Sequence, residues 1–342
     1  MRQLVEALCS EECAGRAAGT PGGRVARAHI VEALRDGGLD PFEQDLPACG
    51  GANVMAVLPG EVDRYVLVGA HYDHLGRAGR STYWGADDNA AAVAILVQVA
   101  RALAGARQRG RGVILAAFDA EEPPHFMTTG MGSKRFAAEP CVPLDKIDMA
   151  VCMDLVGHSF GSRDLPAEVH RSLFALGAER SRGTSEMVDH LARAEEGVVV
   201  RRLDAEVVPP LSDYGPFWER DVPFLFLTSG IWRYYHTPYD TPERLDYEKM
   251  AGTARWLERF VRETCARPEP RVAFQGGRRD DLSTVRALAD VTAALGASTP
   301  EAAQGHAQAR ALLASCDREG RLPDGALSEA QALVSALMAQ LA

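Results

Sequence analysis

The sequence predicts an α/β fold: a mostly parallel mixed β-sheet sandwiched by helices, followed by a C-terminal helical appendage. Three observations predict it. Short apolar runs rich in β-branched residues, at 65–70, 112–118, 149–153 and 222–228, have the length and composition of buried strands. Longer stretches with apolar residues at helical spacing alternate with them, which argues for a parallel sheet covered on both faces. The runs also lead into polar, titratable residues, and ligands of open α/β sheets gather outside the carboxyl ends of the strands.

Taken in order, residues 22–37, "GGRVARAHIVEALRDG", carry apolar residues at helical spacing and stop at a glycine pair. Two short extended segments follow, "PFEQDL" and "ANVMAVL", and then the strand 65–70. After a glycine-rich loop, "DDNAAAVAILVQVARALAG" reads as a helix with acids at its start, where they suit the helix dipole, and a glycine at its end. The three remaining strands come next. A large domain over 1–267 is followed by a Pro-, Gly- and charge-rich linker or surface excursion at 268–283. Beyond it, 284–342 forms a helical extension, with Val285, Leu288, Val291 and Leu295 in helical register and further helices near 300–315 and 327–341.

The bulk numbers exclude some classes. A chain of 342 residues holds one large α/β domain or two ordinary ones. Its net charge of −10 argues against nucleic acid, which calls for a clustered basic surface, and the one dense basic cluster, "GRRDD", is cancelled by its own acids. Seven cysteines without a CxxC spacing indicate neither a zinc ribbon nor a redox pair. No run approaches membrane-spanning length, and no secretory leader is visible. The chain as it stands is expected to be cytoplasmic, with export open to a form whose leader had been trimmed.

The strand ends carry the chemistry. The first strand leads into His71 and Asp73, the second into Asp119, Glu121 and Glu122, the third into Asp154, and the fourth, within eight residues, into His236. The helix after the first strand opens with Asp87 and Asp88. In a parallel sheet all of these meet along one edge. So many carboxylates in one place are costly unless a cation neutralises them, and histidine mixed with carboxylate without cysteine suits catalytic zinc, with manganese or cobalt as other fits. The donors exceed the needs of one ion, and a carboxylate between two ions ~3.5–4 Å apart is the arrangement of hydrolytic metal pairs. Singly, each residue has a plainer reading: Asp73 a turn acid, Asp87 a helix cap, the Glu pair a solvated surface, Asp154 another turn acid, His236 a loop histidine.

The segments "SEECAGRAAGTPGG", "GAHYDHLG", "GADDN", "DAEE", "MDLVG" and "YHTPYDT", in this order over residues 5–265, resemble the co-catalytic zinc aminopeptidases. Their superfamily also holds glutamate carboxypeptidase-like enzymes and zinc-dependent glutaminyl cyclases. The resemblance implies two zinc ions per chain and a peptide substrate. It makes His71 and Asp154 ligands of one ion, Glu122 and His236 ligands of the other, and Asp88 the bridge. Asp73 orients His71, with Asp240 as a further support for His236. Glu121 is implied as the general base, taking a proton from the attacking water and giving it to the departing amine, and Tyr235 as a group that helps hold the oxyanion. His74 receives no role.

The pattern departs in three places: the longer "EEPPHFMTTGMGSKRFA" after the double glutamate, Ala91 and Ala92 in place of Ser-Gly, and Tyr214 where relatives often carry histidine. The resemblance leaves two alternatives. One is a glutaminyl-cyclase-like mono-zinc aminoacyltransferase, against which stands the lack of tryptophan between 85 and 217. The other is a non-catalytic binding protein on the same scaffold. A homo-oligomer through the C-terminal helices is a further expectation.

Overall fold

The computed structural model describes residues 1–105, 109–162, 164–296 and 300–341. Its strands are β1 (Phe42–Leu46), β2 (Gly51–Leu58), β3 (Val62–His71), the short pair β4 (Arg77–Ala78) and β5 (Ser81–Thr82), β6 (Arg111–Phe118), β7 (Ile147–Met153), β8 (Ser172–Leu176), β9 (Val199–Leu203) and β10 (Phe224–Thr228). All but β4 and β5 form one sheet of order β1-β2-β6-β3-β7-β10-β8-β9. The central strands β6, β3, β7 and β10 are parallel to their neighbours in this group. β2 joins β6 antiparallel, β1 joins β2 antiparallel, and β8 reverses against β10 before pairing parallel with β9.

Burial on both faces explains why the central strands are apolar throughout rather than alternating. Val66, Val68 and Ala70 of β3 enter one core and Leu67 the other; Val113, Leu115 and Ala117 of β6 oppose Ile114, Ala116 and Phe118 in the same way. The first core is covered by α1 (Arg2–Leu8), α2 (Pro21–Asp36), α3 (Ala91–Ala104), α6 (Thr184–Arg193) and α8 (Tyr247–Cys265). The second is covered by α4 (Gly132–Ala138), α5 (Ala167–His170), α7 (Gly215–Trp218), α9 (Asp281–Leu295), α10 (Pro300–Ser315) and α11 (Ala326–Leu341). Side-chain caps start three of the long helices: Thr20 accepts from Gly23 N–H, Asp246 from Lys249 N–H and Asp280 from Ser283 N–H. Among the described residues no helix is long and apolar enough to cross a membrane.

Several elements differ from the sequence expectation. The helix expected to open at Asp87 and Asp88 begins at Ala91, because Asp88 and Asn89 leave helical φ/ψ and residues 86–90 form a wide turn. Asp87 is therefore not a helix cap: its carboxylate accepts from the backbone N–H groups of Gly157 and His158 and lies 2.7 Å from His158 Nδ1. Strands β8 and β9 were not anticipated. β8 is only five residues long, and β9, "VVRRL", is an edge strand whose half-buried arginines hide its pattern.

The C-terminal helices are fastened to the sheet edge. Asp204 N–H donates to Thr284 Oγ1 at 2.8 Å, Asp280 N–H to the Asp204 carboxylate at 2.6 Å, and Arg202 pairs with Asp280. From α11, Gln331 donates to the Glu206 carbonyl at 2.8 Å. Val285, Leu288, Leu333 and Leu337 share a core with Phe174, Leu203 and Phe226.

Candidate metal centre and active site

Parallel pairing of β6, β3, β7 and β10 brings their carboxyl ends to one edge, and the titratable residues converge there. His71 is the last residue of β3, Glu121 and Glu122 follow β6, Asp154 follows β7, and His236 lies in the loop after β10. His71 Nε2 is 3.4 Å from Asp88 Oδ1 and 3.5 Å from Asp154 Oδ1. On the other side of Asp88, His236 Nε2 is 3.2 Å from Asp88 Oδ2 and 3.3 Å from Glu122 Oε2. Asp88 thus sits between two groups. His71, Asp88 and Asp154 form one possible metal-holding set, and His74, Asp88 and Glu122 another, with His236 beside it.

His74, the residue the sequence left without a role, has Nδ1 2.8 Å from Glu122 Oε1 and 3.7 Å from Asp88 Oδ2. Its place in "HYDH", one strand end shared with His71, was the available signal.

Backbone partners hold these side chains. Asp73 accepts from the N–H groups of Glu121 and Glu122 at 3.0 and 3.1 Å, so it locks the glutamate pair to the end of β3. Its carboxylate lies 3.6 Å from His71 Nδ1, and its own carbonyl is nearer, at 3.3 Å. Asp240 supports Asp88 rather than His236: its carboxylate accepts from Asp87 N–H at 2.8 Å and Asp88 N–H at 3.1 Å. Asn89 donates to the Met153 carbonyl, and Ser212 to Asp154 Oδ2 at 3.0 Å. Gly85, at φ +57, has no room for a side chain, because a Cβ would lie 2.2 Å from the Asp88 carbonyl and 2.5 Å from the His74 ring.

Arg16, from the first of the six sequence segments, is fully buried. Its guanidinium donates to the carbonyls of Tyr72, Trp84, Gly85 and Asp88, tying the end of β3 to the "GADDN" turn. Asp119 belongs to the scaffold instead, accepting from Tyr72 Oη, Ala52 N–H and Ala120 N–H.

The donor set fits divalent cations. Buried polar atoms normally find hydrogen-bond partners. Here His71 Nε2, His74 Nε2, Asp88 Oδ2, Asp154 Oδ1 and His236 Nε2 are buried without one, and they cluster at a single place. Lone pairs of imidazole and carboxylate left unpartnered together suit metal ions with nitrogen and oxygen preference.

Glu121 is 5 % exposed. Burial pushes its carboxyl well above the ordinary range; His71 opposes the shift, while Asp154, Asp213 and Glu122 add to it. That is the environment of a carboxylate whose protonated form is favoured by its surroundings. Tyr235 stacks on His236 with ring centroids 3.8 Å apart, and burial pushes its phenol upward, so it stays a donor.

A cavity of about 520 Å³ opens onto the site and is lined by Asp88, Glu121, Glu122, Asp154, Tyr235 and His236. Pro123, Phe126, Val208, Pro209 and Leu211 contribute walls from the loops 123–132 and 205–215. A further wall comes from α9 and α11 of the C-terminal extension.

Comparison with known proteins agrees with this architecture. Over 245 residues the chain is 29% identical to the uncharacterized protein YfbL of Escherichia coli, spanning 65% of this chain and 75% of that one. Over 283 residues it is 26% identical to a glutaminyl-peptide cyclotransferase of Drosophila melanogaster, spanning 72% and 77%. The structure of the LapA aminopeptidase of Legionella pneumophila superposes with a TM-score of 0.62 at 19% identity, covering 78% of this chain and 71% of that one, which shows a shared fold. The Peptidase family M28 model matches residues 53–261, the stretch that carries the strand ends, both histidine ligand candidates and the carboxylates between them, and the chain therefore belongs to Peptidase family M28.

Proposed function

We propose that the protein is an aminopeptidase that uses two zinc ions to hydrolyse the first amide bond of a peptide. The carrying observation is Asp88, whose two oxygens face different sets of donors, His71 with Asp154 on one side and His236 with Glu122 on the other. His71, Asp154 and Asp88 would hold one ion, and Asp88, Glu122 and His236 the other. Zinc, when bound, supplies Lewis-acid polarisation of the scissile carbonyl and acidifies the attacking water.

The chain's own residues supply the rest. Glu121 takes the proton of the attacking water on its carboxylate and returns it to the nitrogen of the departing amine. Asp73 fixes the Glu121 backbone, so the base does not drift from the ligands. Tyr235, packed flat on His236, offers a hydroxyl proton toward charge developing on the carbonyl oxygen.

The second reading, a glutaminyl cyclase with a single zinc, draws on the name of the Drosophila relative. The completeness of the His71, Asp88 and Asp154 group favours the peptidase. The test is zinc per chain together with amine release from aminoacyl anilides. Two zinc ions and release are expected. One zinc, with cyclisation of N-terminal glutamine and no anilide hydrolysis, would overturn the proposal. Glu121→Gln is expected to keep both ions and lower kcat by ~10²–10⁴.

A further inference from the structure

The family match ends at residue 261, yet the cavity over the metal centre is closed by helices that begin twenty residues later. Leu288 and Val291 of α9 and Val334, Leu337 and Met338 of α11 form its far wall. The polar contacts of Thr284 and Gln331 with the sheet edge fix this wall in place.

The cavity's size and lining restrict what fills it. A cavity of roughly 150 Å³ holds a benzene ring. At about 520 Å³ this one holds more than any single natural side chain. Apart from the metal-site residues and Tyr235, Thr228 is the one polar side chain among its described lining residues. The backbone groups within α9 and α11 are spent on their own helices, so the deep wall offers no partner to a peptide N–H or carbonyl, and burying such groups there is unfavourable. No lysine or arginine lines the cavity among the described residues, so a free carboxylate finds no counter-charge. At the mouth, Leu211 and Ile231 stand 54% and 44% exposed.

We infer that α9 and α11 complete the substrate site, and that the substrate is an amide whose acyl half carries a long hydrocarbon, of about ten or more carbon atoms. The inference rests on the hydrolase reading above and narrows its substrate. The hydrocarbon belongs either to the side chain of an N-terminal residue or to a plain fatty acyl group. In both cases it lies along the apolar wall of α9 and α11, where it meets Leu288 and Met338.

The test uses the zinc-loaded full chain with alanyl, leucyl, 2-aminodecanoyl and decanoyl 4-nitroanilides. kcat/KM is expected to rise from alanyl through leucyl to a ten-carbon acyl group by at least ~100-fold. The better of the two ten-carbon substrates identifies the source of the chain. Leu288→Trp and Met338→Trp, on separate helices, should each lower the ratio of long to alanyl substrate by at least ~10-fold. A maximum at leucyl, or an unchanged ratio in both folded variants, overturns the inference while leaving the peptidase intact.

Calorimetric binding of decylamine to the zinc-loaded full chain separates the two failures. Hydrolysis of no anilide, with decylamine bound by the parent and rejected by the tryptophan variants, refutes the peptidase and retains the hydrocarbon site. Absence of decylamine binding by the parent overturns the site even where neither variant folds.

Discussion

At Asp240, two carboxylate oxygens face two backbone N–H groups, those of Asp87 and Asp88. Asn at this position turns one acceptor into a donor and sets N–H against N–H beside the Asp88 carboxylate. Asp240→Asn is therefore expected to weaken zinc binding by ~10–100-fold, read by chelator competition. Arg16 works through the same turn from the other side. Arg16→Met removes the guanidinium from the carbonyls of Tyr72 and Asp88 and leaves that of Gly85 with Ala90 N–H alone, which costs about 3 kcal/mol in denaturant unfolding. Neither role was readable from the sequence as such. The six segments suggested that these residues matter, but a carboxylate gripping backbone amides 152 and 153 positions away leaves no local pattern. His71, Asp88, Glu122, Asp154 and His236 were legible because each follows a recognisable strand end or motif.

Among the elements, the turn after β8 carries a titration that the metal centre does not touch. Burial, helped by Asp204, raises the Glu179 carboxyl from its ordinary 4.5 to about 7, against Ala205 N–H and Arg180. Between these values the folded protein keeps a proton that the unfolded chain releases, so Glu179 lowers stability as pH rises from about 4.5 to about 7. Glu179→Gln removes the ionisation and still offers an oxygen to Ala205 N–H. The variant should gain ~1–3 kcal/mol over the parent at pH 8 and nothing at pH 4, by urea melts at the two pH values. Central strands and the helices α2, α9, α10 and α11 were legible because burial on two faces writes unbroken apolar runs and helical burial writes a 3.6-residue period, whereas α8 was not read. The start of α3 was misread because acids before an alanine-rich run look like a helix N-terminus, whereas tertiary partners at Gly157, His158 and Asp240 hold them in a turn.

For the whole molecule, the cluster of Asp88, Glu121, Glu122 and Asp154 is repulsive until cations enter it, so zinc binding and folding are coupled. With free zinc a thousandfold above its Kd, one site adds about 4 kcal/mol, and Tm should rise by roughly 5 °C above that of chelator-treated protein. A Tm indifferent to chelation would refute the coupling. The same charge argument makes Asp88→Ala lose zinc, because both groups share that carboxylate.

The amino-acid order alone determined the α/β class, the central strands, and the set of donors at the strand ends, since these follow from periodicity and from where apolar runs stop. Only the tertiary structure decided that His74 stands beside Glu122, that Arg16 and Asp240 brace the turn that carries Asp88, and that α9 and α11 wall the cavity. Those facts depend on which surfaces pack together across the sheet, and side-chain packing between distant segments has no period for a sequence to display.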